Sequence, residues 1–250
     1  MPEYLAPGVY VEEVGSRSKS IEGVGTSTAA FVGPARQGPL DTMPVRVTRF
    51  SEFERIFGGR ENLVFAGGVE SINHLAHAAA AFFANGGQRL FVVRTFMPSA
   101  GAVAADDGQE PPAARLVPPV PGAVSCEEAL GAMESVDEVA IVAAPGHAGF
   151  SQAHIDTVRL LLIAHCERMR YRFALLDTPA GLNPDEVRAV RSGIDTTRAA
   201  LYYPWVVVAN PTAGAGNNGI PGEIALPPSG FVAGIYARNR SLTPHCHFVD

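Results

Sequence analysis

The chain has 250 residues, 47% of them apolar and 18% charged, with a formal net charge of −6. This composition excludes a disordered chain and supplies a sizeable core, as one large domain or two small ones. The acidic balance and the lack of a basic stripe argue against a general nucleic-acid binder, so no nucleic-acid partner is expected.

Cysteines 126, 166 and 246 form no CxxC pair, which points to a reducing compartment rather than a disulfide framework. Met1 is not followed by a basic start and an apolar stretch, and no run reaches the roughly 18 apolar residues that cross a membrane. The expectation is synthesis and folding in the cytoplasm.

Residues 1–25 read as an arm with a linker. Pro7-Gly8-Val9-Tyr10-Val11-Glu12-Glu13-Val14 alternates and is β-prone, and a polar stretch from Gly15 to Ser20 follows. A lone strand must find partners for its backbone groups. It pairs either with its own sheet or with the sheet of another subunit.

Residues 26–96 read as the first part of an α/β core. Ala29 to Gly33 is a buried strand stopped by Pro34, and Val45 to Val47 is a second. Ser51, with Glu54 three residues on, reads as an N-cap. Phe53, Ile56 and Phe57 share a face of that helix, and Gly58-Gly59 ends it. An Ala-rich helix spans Ser71 to Ala84, and an apolar strand spans Arg89 to Arg94. Ala76 to Ala84 and Val158 to Ala164 read as buried helix faces. Residues 97–124 hold scattered prolines and glycines and read as a linker or a reduced insertion.

Residues 125–250 read as the second part of the core with an atypical tail. A helix runs from Glu127 to Met133, a strand from Val139 to Ala143, and a long helix from a Ser151 cap to about Arg170. A strand follows from Arg172 to Asp177. Asn183-Pro184-Asp185-Glu186 is a helix start with N-cap, proline and first-turn acids. Ala200 to Ala209 is one strand. Ser229 caps a last helix, with Phe231, Val232, Ile235 and Tyr236 spaced for burial. Strands and helices alternate, and the strands are apolar throughout, which predicts an α/β fold with a largely parallel sheet covered on both faces.

Four groups of residues carry candidate chemistry. Gly214-Ala215-Gly216-Asn217-Asn218-Gly219 matches G-x-G-x-x-G, but Pro211 precedes it and no helix opens after it, so it reads as a loop rather than a nucleotide site. Asp177, His147 and Ser229 fall at element ends and sketch a hydrolase, yet no G-x-S-x-G elbow exists. Asp177 reads instead as a cap of the Thr178-Pro179 turn. His74 and His77 read as ordinary helix histidines, and His245-Cys246-His247 lacks the further ligands zinc requires. Arg168, Arg170 and Arg172 read as a solvated helix end or as a contact for an acidic neighbouring subunit. No metal, cofactor or catalytic residue is assigned.

Several blocks resemble contractile tail sheath proteins of phages and phage-tail-like injection systems. They are Tyr4-Leu5-Ala6-Pro7-Gly8-Val9-Tyr10-Val11-Glu12-Glu13, Ile21 to Gly33, Phe50 to Gly59, Phe82 to Arg94, Ala200 to Trp205 and Pro227 to Arg238. The resemblance implies a non-enzymatic sheath subunit with a core often called subtilisin-like, a term for fold and not for protease activity. It implies an arm in which Tyr4, Pro7, Gly8, Val9, Tyr10, Val11, Glu12 and Glu13 exchange a strand with a neighbour. It further implies self-association into a helical sheath around an inner tube, with baseplate and cap proteins as partners. The family's inserted outer domain falls where residues 97–124 lie, so a short-sheath form is implied. After Arg238 the family continues into a C-terminal domain, whereas this chain reads Asn239 to Asp250 and departs from the pattern.

Overall fold

A computed structural model describes residues 27–39, 43–64, 70–95, 126–149, 152–211, 213 and 222–242. The arm, residues 97–124, Ser151, Gly214 to Gly219 and His245 to His247 lie outside the described residues.

One sheet organises the chain. Its strands are β1 (Thr28–Gly33), β2 (Val45–Val47), β5 (Arg89–Arg94), β6 (Ile141–Ala143), β7 (Phe173–Asp177) and β8 (Ala199–Tyr202). They lie in the order β2-β5-β1-β6-β7-β8. All neighbours are parallel except β2, which runs antiparallel to β5 at one edge. Ala30 sits opposite Phe91 on one side and Val142 on the other.

The central strands are buried on both faces, as continuous apolar runs require. Ala29 and Phe31 of β1 face a layer built from α1 (Phe50–Phe57), α2 (His74–Ala84) and α6 (Ser229–Leu242). Ala30 and Val32 face the opposite layer, α3 (Cys126–Met133) and α4 (Gln152–Met169). A fifth helix, α5 (Pro184–Ser192), buries no residue. Two small antiparallel pairs complete the fold: β3 (Leu63–Val64) with β4 (Glu70–Ser71), and β9 (Val206–Ala209) with β10 (Glu223–Leu226).

Several expectations need correction. Helix α1 begins at Phe50, so its N-cap is Arg49, which makes no side-chain cap bond. The reaching acid is Glu52, whose Oε2 accepts from the Thr48 backbone N–H at 2.8 Å, so Ser51 is not the cap. The Ala-rich helix begins at His74, with the Asn73 side chain accepting from Ala76 N–H, because Glu70 and Ser71 are taken into β4. The single strand expected over Ala200 to Ala209 is two, β8 and β9, broken around the cis Tyr203-Pro204 bond. Proline lacks the donor a ladder needs, so the break falls there. Leu160 is 65% exposed, so the Val158 to Ala164 run is not a wholly buried face.

The buried face of α6 also differs from the reading. Its large side chains are only partly covered, and Tyr236 is 39% exposed. The face that meets α2 is made of Gly230, Ala233, Gly234 and Ala237. A Cβ on Gly230 would lie 2.6 Å from Ala78 Cα, and one on Gly234 would lie 2.5 Å from the Phe82 carbonyl oxygen. The two backbones thus approach as closely as side-chain-free contact allows. By contrast, the start of α5 forms as read: Asn183 accepts from Asp185 and Glu186 N–H, and Glu186 accepts from Asn183 N–H at 2.7 Å.

Candidate functional site

Open α/β sheets place ligands beyond the carboxyl ends of their strands, at the point where the strand order reverses. Here that point lies between β1 and β6. It is filled by backbone. Gly33 ends β1, and Gly146 sits in the short 3-10 turn Pro145–His147 after β6. A Cβ on Gly33 would fall 2.7 Å from Gly146 Cα, and one on Gly146 would fall 2.6 Å from Gly33 Cα. Glycine at both positions lets the two chains touch, and the crevice that would receive a ligand is closed.

Two members of the expected Ser-His-Asp set do meet, in a different role. Asp177, at the end of β7, accepts the Ser229 backbone N–H on Oδ1 at 2.8 Å and the Ser229 hydroxyl on Oδ2 at 2.6 Å. The carboxylate therefore holds the first free N–H of α6, from 52 residues away in sequence. Orphan N–H groups at a helix start need such an acceptor, and the helix dipole favours a negative one. Burial pushes the Asp177 carboxyl up to about 6, and the two Ser229 hydrogen bonds pull the other way.

A serine nucleophile is activated by an imidazole positioned to take its proton. The Ser229 hydroxyl is fully buried and committed to the carboxylate. The pair is a helix cap, and it corrects both the hydrolase sketch and the expectation that Asp177 caps the Thr178-Pro179 turn. The Thr178 carbonyl instead accepts from Trp205 Nε1 at 2.7 Å. His147 is buried in the turn that follows β6. With Asp177 and Arg159 it lines a cavity of about 20 Å³, room for one water molecule.

His74 and His77, read as ordinary helix histidines, are both buried. His74 packs edge-on to Trp205 with ring centroids 5.4 Å apart. Burial, with the neighbouring His77, lowers the His74 imidazole to about 3. Burial and Arg60 lower His77 to about 4. Both rings are neutral parts of the core.

The basic cluster divides into three unlike residues. Arg170 is exposed with a φ of 61° just past α4. Arg168 bonds Glu134 with Nε at 2.8 Å. Arg172 is 1% exposed and is not a solvated helix end at all. Its Nη2 donates to the carbonyls of Met133 at 2.8 Å and Val136 at 2.7 Å, and its Nη1 lies 2.9 Å from His165 Nε2. A guanidinium only donates, so His165 Nε2 is the acceptor and its ring is neutral with the proton on Nδ1. Burial and Arg172 lower His165 to about 4. This cluster ties α3, α4 and β7 together with no carboxylate on the arginine among the contacts it makes.

The sequence carried no signal for the Asp177–Ser229 contact, the Gly33–Gly146 contact or the burial of Arg172, because each joins residues remote in sequence. Tyr202 and Tyr236 share a short hydroxyl contact, and Tyr203 and Val207 are 41% and 63% exposed.

No family model and no curated protein matches the sequence. Solved structures do. The chain is similar to the helical sheath of the anti-feeding prophage (AFP) in its contracted state, solved by electron cryo-microscopy, with a TM-score of 0.57 and 21% identity. It is similar also to the AFP baseplate in the contracted state, with a TM-score of 0.58 and 21% identity. In each case 96% of this chain is covered, against 54% and 55% of the other. The chain thus has a fold found in a contractile sheath and spans little more than half the length of the chains it matches.

Proposed function

We propose that this chain is a structural, non-enzymatic subunit of a contractile sheath. The observation that carries the reading is the likeness of fold to the AFP helical sheath across 96% of the chain. The backbone-filled crevice between β1 and β6 and the capping role of Asp177 and Ser229 support a structural part over a catalytic one.

In this reading the subunit polymerises into a helical tube around an inner tube protein, meets baseplate and cap proteins at the ends, and works without a cofactor. Contraction is a change between two packings of the same subunits that drives the inner tube through a target envelope. The protein is made in a bacterial cytoplasm and assembled into a virion tail or a phage-tail-like particle. No helix among the described residues is long and apolar enough to cross a membrane.

The segment from Tyr4 to Glu13 supplies a strand to a neighbouring subunit, its backbone hydrogen bonds giving affinity. Negative-stain electron microscopy of the purified chain, alone and mixed with the inner tube protein of the same gene cluster, tests the proposal. Hollow helical tubes are the expected result. A folded chain that stays dispersed in both samples contradicts it. Deleting residues 1–20 is expected to leave the circular dichroism of the core unchanged and to abolish co-assembly.

A further inference from the structure

A guanidinium withdrawn from water is costly unless its N–H groups meet acceptors. The buried Arg94 and Arg172 each use both terminal nitrogens. Arg94 donates to the Gly38 and Arg36 carbonyls, and Arg172 to His165 and two carbonyls. Arg159 differs. It interrupts an apolar run of α4, Val158-Arg159-Leu160-Leu161-Leu162-Ile163, and its side chain is only 11% exposed.

Arg159 Nη1 donates to Asp156 Oδ1 at 2.7 Å, one turn back on the helix. Its Nε and Nη2 are buried and meet no hydrogen-bond partner among the described residues. These two nitrogens share one edge of the planar guanidinium and present their donors side by side. One oxygen with two lone pairs can accept from both. The same side chain lines the cavity at the carboxyl ends of β6 and β7, together with Ala144, His147, Ile155, Leu176 and Asp177.

Size, charge and lining select the occupant. The cavity volume of about 20 Å³ exceeds the roughly 10–15 Å³ that a water molecule needs and leaves no room for a group of several heavy atoms. The guanidinium already has a counter-ion in Asp156, whose side chain is 47% exposed. A second anion would meet that carboxylate's charge and lose its own hydration on entry. A neutral acceptor avoids both costs. Apolar side chains alone would keep the space dry, so polar groups have to hold the occupant. Arg159 supplies the donors, and His147 and Asp177 bring acceptor atoms to the same lining.

We propose that this cavity is the site of one structural water, which accepts from Arg159 Nε and Nη2 and donates toward His147 and the end of β7. The water fastens α4 to the turn after β6 and to β7, a span that no direct hydrogen bond of Arg159 crosses among the described residues. Internal waters with such partners belong to the structure and are costly to remove. The site also accounts for an arginine within an apolar run. The site lies within one chain, so its test is independent of whether the chain forms tubes.

The test is a crystallographic map of the full chain fine enough to show ordered waters, from crystals grown in bromide. A single peak about 2.7–3.2 Å from both Arg159 Nε and Nη2 is expected, without anomalous scattering from bromine. Arg159→Met keeps much of the stem and removes the donors, so the peak should be lost from its map. Magnetic relaxation dispersion of water counts molecules held longer than the chain tumbles, and that count should fall by one in the variant. Circular dichroism checks that the variant is folded, and the parent map decides the matter where it is not. A parent map with no peak at this place, or with a protein group seated on that edge of Arg159, overturns the proposal. A peak with bromine scattering marks an anion and overturns it too. An unchanged water count in folded Arg159→Met does the same.

Discussion

Asp177 illustrates how a residue of catalytic type can be structural. Its side chain is half-buried, and desolvation pushes its carboxyl up to about 6 against the pull of two Ser229 hydrogen bonds. The folded chain therefore binds a proton between about pH 4 and 6 that the unfolded chain, with an ordinary carboxyl, has released. This contribution to stability is complete below about pH 4 and is lost as pH rises through about 6. Asp177→Asn keeps an acceptor for the Ser229 N–H and removes the titration. Urea melts should show the variant matching the parent at pH 4 and exceeding it at pH 7 by on the order of 2 kcal/mol. Asp177→Ala also removes the titration but leaves the helix end without its acceptor, so it should be less stable than Asp177→Asn at both pH values, by about 1–2 kcal/mol. A constant difference between the Asn variant and the parent across this range would contradict the titration. The identity of Asp177 as a cap was not legible in sequence, because its partner is 52 residues distant and no local pattern couples them.

Elements follow the sequence closely where apolar runs are uninterrupted. β5 and β2 have the bounds expected, and α5 starts at its capping box because those signals are local. The buried face of α6 differs for another reason: side-chain size does not decide burial there. In α6 the small residues face α2, since only they permit the approach, and the large ones lie at the margin. Alanine favours a helix over glycine by about 1 kcal/mol. Even so, Gly234→Ala should destabilise the chain by on the order of 2 kcal/mol, because the added methyl meets the Phe82 carbonyl at 2.5 Å and backbone has to move. A Tm below that of the parent by several degrees is the expected reading, and an unchanged or raised Tm would refute the packing argument. The same test applies to the α3–α4–β7 junction. Arg172 spans two carbonyls and an imidazole with a planar fork. Lysine brings the charge without that geometry. Arg172→Lys should lower stability by about 2 kcal/mol in denaturant melts.

At the scale of the whole molecule, the fold class was legible and the site was not. Apolar strands alternating with helices specify a covered parallel sheet, whatever the side chains at its ends do. Those ends hold two features that support the functional reading: a crevice closed by Gly33 and Gly146 and a cap made by Asp177. Each depends on which strands become neighbours, and topology is not written in any one segment. Three of the four buried histidines among the described residues are scattered in the same way, two on α2 and one on α4, yet they act together on acidification. His74 is held near 3, and His77 and His165 near 4, each lowered chiefly by burial. Unfolded histidines take up protons near 6.5. As pH falls from about 6.5 to 4, the unfolded chain gains three protons that the folded chain refuses. Asp177 opposes this with one proton bound by the folded form. The balance favours unfolding, so stability present above about pH 6.5 should fall steeply toward pH 4. Thermal melts in a buffer series measure it directly. His165→Gln retains an acceptor for Arg172 and removes one titrating ring, so it should make the slope shallower by one proton. A stability that stays flat or rises toward pH 4 would mean these rings can be protonated in the folded chain, and that the layers around them open far more readily than their burial implies.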